Sequence, residues 1–120
     1  MIIAPCSMRT LAEIATGVTT SLLTRAADVC LKERRRIVLL VRETPLTTVH
    51  LRNMLAATEA GAIVFPPVPA FYDRPATVDD IVNNHTIGRV LDLFDLDSGF
   101  VHRWGEPTHH EPAHRNGKSV

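Results

Sequence analysis

The run Ile37-Val38-Leu39-Leu40-Val41 constrains this chain more than any other stretch. It is apolar throughout, rich in β-branched residues and without alternation. Such a run reads as a strand covered on both faces. Arg34, Arg35 and Arg36 precede it, and Arg42 and Glu43 follow it. Thr44 is expected to cap a helix whose first residue is Pro45. Arg42 and Glu43 then fall at the carboxyl end of a parallel strand, the edge at which open α/β sheets bind ligands. A guanidinium fixed there suits an anionic or carbonyl-bearing ligand. The plainer alternative is an Arg42–Glu43 surface ion pair.

Two further apolar runs, Ile2-Ile3-Ala4 and Ala62-Ile63-Val64-Phe65, read as strands on either side in sequence. Four helices are expected between and after them. The first is capped by Ser7 or Thr10 and ends at Gly17, and the second covers 20–34 with its buried stripe at Leu22, Leu23, Ala26, Val29 and Cys30. The third covers 45–59, carries Val49, Met54, Leu55 and Ala57, and ends at Gly61. The fourth starts near Pro75, with Thr77 as cap. Strand, helix and strand in this rhythm predict a three-layer, doubly wound parallel α/β sheet of Rossmann-like type. Three strands are fewer than the usual four to six. A missing amino-terminal portion or an obligate partner would account for that. Residues 1–97 are expected to form this partial domain. Residues 98–120, where Gly, Pro and His dominate and periodicity stops, are expected to be a mostly disordered tail.

Composition excludes several classes of function. Thirteen Lys and Arg balance thirteen Asp and Glu, which leaves no basic footprint for nucleic acid. No apolar run approaches the roughly 20 residues of a membrane span. Cys6 and Cys30 lack CxxC spacing and fit a reducing cytoplasm. Asp79 and Asp80 are explained by the dipole of the helix they open, not by a metal. His109, His110 and His114 lack the carboxylate or Cys set that would complete a metal site.

Other residues carry chemistry. Hydroxyls and free N–H groups at Ser7 and Thr10 make a cradle for an anion or carbonyl, or an ordinary cap. Arg25 and Lys32, seven apart, fall on nearly one helical face and can converge on a phosphate or form a solvated stripe. Phe71 and Tyr72 follow the stiff run Pro66-Pro67-Val68-Pro69 and are expected at the same sheet edge. Arg89 sits among apolar residues, where it snorkels or meets an anion. Trp104 is the sole tryptophan.

Taken in order, several stretches resemble the UbiX-type flavin prenyltransferases of the wider flavoprotein family. They are Ala4-Pro5-Cys6-Ser7-Met8-Arg9-Thr10, Arg25-Ala26-Ala27-Asp28-Val29-Cys30-Leu31-Lys32-Glu33, Arg42-Glu43-Thr44-Pro45-Leu46, Asn53-Met54-Leu55 and Phe71-Tyr72-Asp73-Arg74-Pro75. The resemblance spans roughly residues 1–97. It implies an FMN-dependent, metal-free enzyme that moves a dimethylallyl group from its monophosphate onto N5 and C6 of reduced flavin. The prenylated flavin then serves a UbiD-type partner decarboxylase.

The resemblance also implies roles. Ser7, Met8, Arg9, Thr10 and Arg42 would hold FMN. Arg25, Lys32, Tyr72 and Arg89 would gather round the prenyl phosphate. Glu43 would assist proton handling beside Tyr72 and Arg89, and Trp104 would stand near the site. Large homo-oligomers with the flavin near subunit contacts are expected. Three departures stand out. Arg9 replaces a usual Lys. The segment His85-Thr86-Ile87-Gly88 is one residue longer than usual. The amino-terminal half, with its Gly/Ser-rich phosphate turn, is absent. A phosphopantothenoylcysteine-type decarboxylase and an inactive remnant or interaction subunit are the alternatives.

Overall fold

Val38–Val41 forms β2, flanked by β1 (Ile2–Cys6) and β3 (Ile63–Val64). The computed structural model describes residues 1–99. The three strands are parallel in the order β1-β2-β3, with Ile2 opposite Val38, Ile3 opposite Leu39, and Val38 and Leu39 opposite Ile63 and Val64. The parallel α/β sheet is therefore as expected. Its described strands advance in one direction, without a reversal of order among them. Side chains alternate along a strand. Ile37, Leu39 and Val41 join the main core, while Val38 points to the other face and is equally buried. Both faces of the central strand are covered, as its unbroken apolar run requires.

The main core gathers Ile3, Cys6, Leu11, Ile14, Ala27, Ala57 and Ala62 around that strand. Leu11 is fully buried, so Leu11→Ala is the kind of change that costs about 2–5 kcal/mol. Helix α1 (Met8–Thr16) is capped by Ser7 and closed by Gly17 at φ 72°, a left-handed position that favours glycine. Helix α2 (Leu22–Lys32) begins at a Ser21/Thr24 capping box. Its buried residues are Thr24 and Ala27, whereas Leu22, Leu23 and Val29 are exposed. The stripe read from the sequence is thus displaced around the helix. Small residues let α2 pack closely and turn Leu22 and Leu23 outward, while Leu31 packs on the core.

Helix α3 (Thr48–Glu59) also differs from expectation. Thr44 and Pro45 do not start it. They lie in the loop after β2, joined by a cis peptide bond. Thr47 is the cap. Its hydroxyl accepts the His50 N–H at 3.2 Å, and His50 Nδ1 accepts the Thr47 N–H at 3.2 Å. This is a capping box with His where Glu or Gln is usual. Ala57 is buried and Met54 packs on the core, but Val49 and Leu55 face outward with Leu51. After β3 comes α4 (Val78–Ile81), capped by Thr77, which leads into a π-helical segment (Val82–Gly88) and then α5 (Arg89–Asp92). A π-helical turn accommodates one extra residue inside a helix. Here it coincides with the segment read as one residue too long.

Trp104, His109, His110, His114 and nearly all of the 98–120 tail lie outside the described residues. Among the described residues, no helix is long and apolar enough to cross a membrane, and no group of His, Cys, Asp or Glu is placed to hold a metal ion.

Candidate functional site

The carboxyl edge of the sheet is shaped first by an irregularity in β1. Between the pairs Ile3–Leu39 and Cys6–Val41, β1 uses one more residue than β2. Pro5 lies in that bulge and has no N–H to give the ladder. The bulge sets Cys6 in the core and leaves Ser7 at the edge as cap of α1. Burial pushes the Cys6 thiol up to about 11, so it is a neutral packing group at ordinary pH.

Ser7 Oγ accepts the Thr10 N–H at 3.1 Å and donates to Thr10 Oγ1 at 3.0 Å. Met8 packs against the core. Arg9 turns back along its own helix to Glu13, with Nε 3.1 Å from Oε1. Glu13 also accepts the Thr20 hydroxyl at 2.7 Å, and that bond, with Arg9, holds its carboxyl below the usual range. Of the four residues, Ser7 and Thr10 are the ones that present hydroxyls at the helix start.

Arg42 and Glu43 leave β2 at the same edge, and both are exposed. They do not pair. Glu43 Oε1 takes the Thr44 N–H at 3.3 Å instead, and no described residue pairs with the Arg42 guanidinium. The two residues line a cleft of about 170 Å³ with Val41, Leu46, Met54 and the Pro66-Pro67-Val68 run. One cation and one carboxylate thus stand over an apolar floor.

Tyr72 follows that proline run in a turn where the Arg74 N–H reaches the Phe71 carbonyl at 3.1 Å. It is 72% exposed and does not line the cleft. Its ring meets the edge of His85 at a centroid distance of 5.7 Å and an angle of 74°. Asp73, the next residue, pairs with the same His85. Arg89 opens α5 with its guanidinium 3.8 Å from Asp92. Tyr72 and Arg89 are therefore drawn toward one helix, apart from the Arg42 cleft.

Arg25 pairs with Asp28 at 3.3 Å and Lys32 with Glu33 at 3.5 Å, all on the surface of α2. The carboxyl end of α2 lies at the amino end of the sheet. Cys30 Sγ is 3.8 Å from Met1 Sδ, and Leu31 lines a second cleft with Arg34, Arg35, Arg36 and Gly61. Within one chain, Lys32 and Arg42 stand at opposite ends of β2. Sequence reading missed the Asp73–His85 contact, which no spacing rule marks. The extra residue near His85 was the available signal.

The Flavoprotein family model matches residues 1–91. The chain belongs to the Flavoprotein family. Among curated members, it is 59% identical over 104 residues to the flavin prenyltransferase UbiX of Thauera aromatica, covering 87% of this chain and 53% of that protein. It is 51% identical over 104 residues to the mitochondrial flavin prenyltransferase PAD1 of Saccharomyces cerevisiae, covering 87% and 43%. The chain spans about half the length of the curated relatives it matches. Among solved structures, AnUbiX (PadA1) in complex with FMN and dimethylallyl pyrophosphate superposes with a TM-score of 0.84 at 56% identity, covering 89% of this chain and 56% of that one. The dodecameric FMN-dependent UbiX-like decarboxylase of Escherichia coli O157:H7 gives 0.83 at 54%, covering 88% and 57%.

These Flavoprotein-family residues fit part of a flavin. Ser7, Thr10 and Arg42 offer donors, and Val41, Leu46, Met54 and Pro66 offer apolar surface. At about 170 Å³, the cleft is smaller than the roughly 300 Å³ at which small-molecule sites begin. Among the described residues, no Gly-rich turn follows a strand at this edge. Gly17 and Gly61, both with positive φ, precede α2 and β3.

Proposed function

We propose that this chain is one part of a flavin prenyltransferase that moves a dimethylallyl group from dimethylallyl monophosphate to reduced FMN. The observation that carries the reading is the 56% identity, over 89% of this chain, to a solved protein holding FMN and dimethylallyl pyrophosphate. FMN supplies, when bound, the ring positions that accept the prenyl group.

The chain's residues divide the remaining work. Ser7, Met8, Arg9, Thr10 and Arg42 form one wall of the flavin site, with Arg42 as the cation that no described residue pairs. Glu43, a carboxylate beside that wall, holds or moves a proton. Tyr72 and Arg89 take the prenyl phosphate, whose negative charge grows as it leaves, so the Arg89 guanidinium stabilises departure more than binding. Arg25 and Lys32, paired on the surface of α2 with Asp28 and Glu33, complete that cation set from a neighbouring copy. Trp104, which the resemblance associates with the site, lies outside the described residues. Residues 1–97 form the partial domain and 98–120 an appended tail.

Several features support assembly. Leu22 on α2 and Val49, Leu51 and Leu55 on α3 expose apolar side chains. One edge of β1 is unpaired among the described strands. We assign a homo-oligomer in the cytoplasm whose product feeds a UbiD-type decarboxylase. The half-length span favours a second reading, an interaction subunit without activity of its own. Joining this chain to the complementary half of a relative separates the two. Appearance of a flavin heavier by one dimethylallyl group, dependent on the monophosphate, is the expected result. Flavin bound but never prenylated would overturn the prenyltransferase reading, and would admit a decarboxylase of the phosphopantothenoylcysteine type.

A further inference from the structure

His85 occupies the π-helical segment four residues before Arg89. Residues four apart lie on nearly one helical face. The His85 Nε2 is 3.1 Å from Asp73 Oδ2 and 3.2 Å from Asp73 Oδ1, so it straddles the carboxylate. An ionised carboxylate only accepts, hence Nε2 carries the proton. The two side chains are 12% and 22% exposed, less than in the other ion pairs of the described residues, each of which has at least one partner more than half exposed, although Asp73 as a whole residue is exposed through its backbone. A charged hydrogen bond between side chains shielded in this way fixes geometry better than a fully exposed pair does. The same imidazole receives the Tyr72 ring edge-on. Tyr72 is otherwise exposed on a turn that follows a proline run. Its orientation thus depends on one histidine, and that histidine stands one turn from Arg89.

We propose that His85 is a positioning residue. Clamped by Asp73, it docks Tyr72 onto the helix face that carries Arg89, so that phenol and guanidinium meet one prenyl phosphate together. The π-helical turn serves this arrangement by accommodating the extra residue without breaking the helix between His85 and Arg89. The proposal rests on the assignment of Tyr72 and Arg89 to the prenyl phosphate, and its test separates the two.

Tyr72 is the sole tyrosine, so its ring-proton NMR signals report docking without ambiguity. Ring signals are compared between the 120-residue chain and its His85→Ala, His85→Gln and Asp73→Asn variants, and dimethylallyl monophosphate is titrated into each after joining to the complementary half. In His85→Ala the Tyr72 signals are expected to move to solvent-exposed values and affinity to fall about tenfold, the scale of a misplaced binding group. His85→Gln keeps an N–H for Asp73 and restores part of the affinity. Asp73→Asn, which keeps the fold if His85→Ala does not, gives an intermediate loss. A mere structural brace would lower the unfolding midpoint and leave affinity in the folded variants unchanged, and that result overturns the proposal. Tyr72 signals indifferent to His85 overturn it as well. A wild-type chain whose Tyr72 signals follow His85 but which, joined to the complementary half, binds no dimethylallyl monophosphate would sink the prenyl-phosphate assignment and leave the docking intact.

Discussion

Nη1 of Arg36 lies 2.9 Å from Oδ2 of Asp95, tying the entrance of β2 to the residues that follow α5. The same guanidinium nitrogen also donates to the Leu93 carbonyl. The carboxylate is 85% exposed, so the ion pair alone is worth about 0–1 kcal/mol. Asp95→Asn, which keeps a side chain tolerated at its positive φ of 59°, should therefore cost only a few tenths of a kcal/mol, within about that range. Arg36→Ala, which also leaves the Leu93 carbonyl without its donor, should cost about 1–2 kcal/mol. Urea unfolding at low and high salt checks this. The Asp95 effect should shrink with salt and the Arg36 effect should largely persist.

The acid side of the stability profile should depend on the caps. The Asp80 carboxylate takes the Thr77 and Ala76 N–H groups at 2.8 and 3.0 Å, and these bonds, with Thr77 first, hold its pKa below the usual carboxylate range. A carboxyl lowered on folding contributes stability that is fully present above its unfolded pKa and is lost as pH falls through the folded one. Glu13, lowered chiefly by Thr20, acts with the same sign. Asp80→Asn should flatten the decline below about pH 4, near the ordinary carboxylate pKa. Thr77→Ala should cost about 1 kcal/mol at pH 7. Unfolding midpoints measured from pH 7 to pH 3 decide it.

These caps also show where the sequence was legible. Thr77 and Ser7 were readable because Ser or Thr before a periodic run has one common use. Thr44-Pro45 matched the rule for helix starts equally well, yet Thr47 won through a reciprocal bond with His50 that the usual capping pattern does not include. The strands were legible from unbroken β-branched runs. The faces of α2 and α3 were not, because small Thr24 and Ala27 pack where leucines were expected. At the site, Arg42 and Glu43 followed from topology. The association of Tyr72 with His85 did not, since it depends on how a turn docks on a helix.

Cys6 and its environment predict the alkaline side. A thiol raised to about 11 by burial contributes stability that is present below its unfolded pKa, about 9, and is lost as pH rises through about 11. A thiol alkylating agent at pH 8 should spare Cys6 in the folded chain and modify it rapidly in urea. Cys6→Ser, which puts a hydroxyl in the same buried place, should lower stability by about 1–3 kcal/mol. Peptide mapping after brief alkylation gives the answer. Modification of Cys6 at the rate seen in urea would show the β1 edge to be open.

Arg42 and Arg89 should separate kinetically once the chain is joined to a complementary half. Arg42→Ala should weaken FMN binding by about tenfold or more, the equivalent of one charged hydrogen bond of about 1.5–3 kcal/mol. Arg89→Ala should leave flavin binding near wild type and lower kcat/KM for dimethylallyl monophosphate. Flavin titration beside prenyl-donor kinetics tests the division. Equal losses of flavin affinity in both variants would refute it.

The 120-residue chain by itself should not hold FMN tightly. The flavin phosphate carries close to two negative charges near neutral pH, and such a group is bound by clustered backbone N–H donors or a helix start. At the carboxyl edge, α1 and α3 both begin, and their caps Ser7 and Thr47 already occupy the Thr10 and His50 N–H groups. Arg42 offers one cation, and the cleft beneath it, at about 170 Å³, is too small for an isoalloxazine ring with its ribityl chain. Contacts of this number amount to a wall, not an enclosure. Affinity then falls well short of that of an enclosed site, because ordering the ligand is offset on one side only. The unpaired edge of β1 and the outward leucines of α2 and α3 should also make the isolated chain prone to associate. The purified chain is therefore expected to be colourless in the flavin bands, without prenyl transfer, and to elute as mixed oligomers. Absorbance after purification, followed by a flavin titration, is the measurement. Stoichiometric FMN on the purified chain would mean that its phosphate is gripped by residues other than those at the carboxyl edge of β1 and β2.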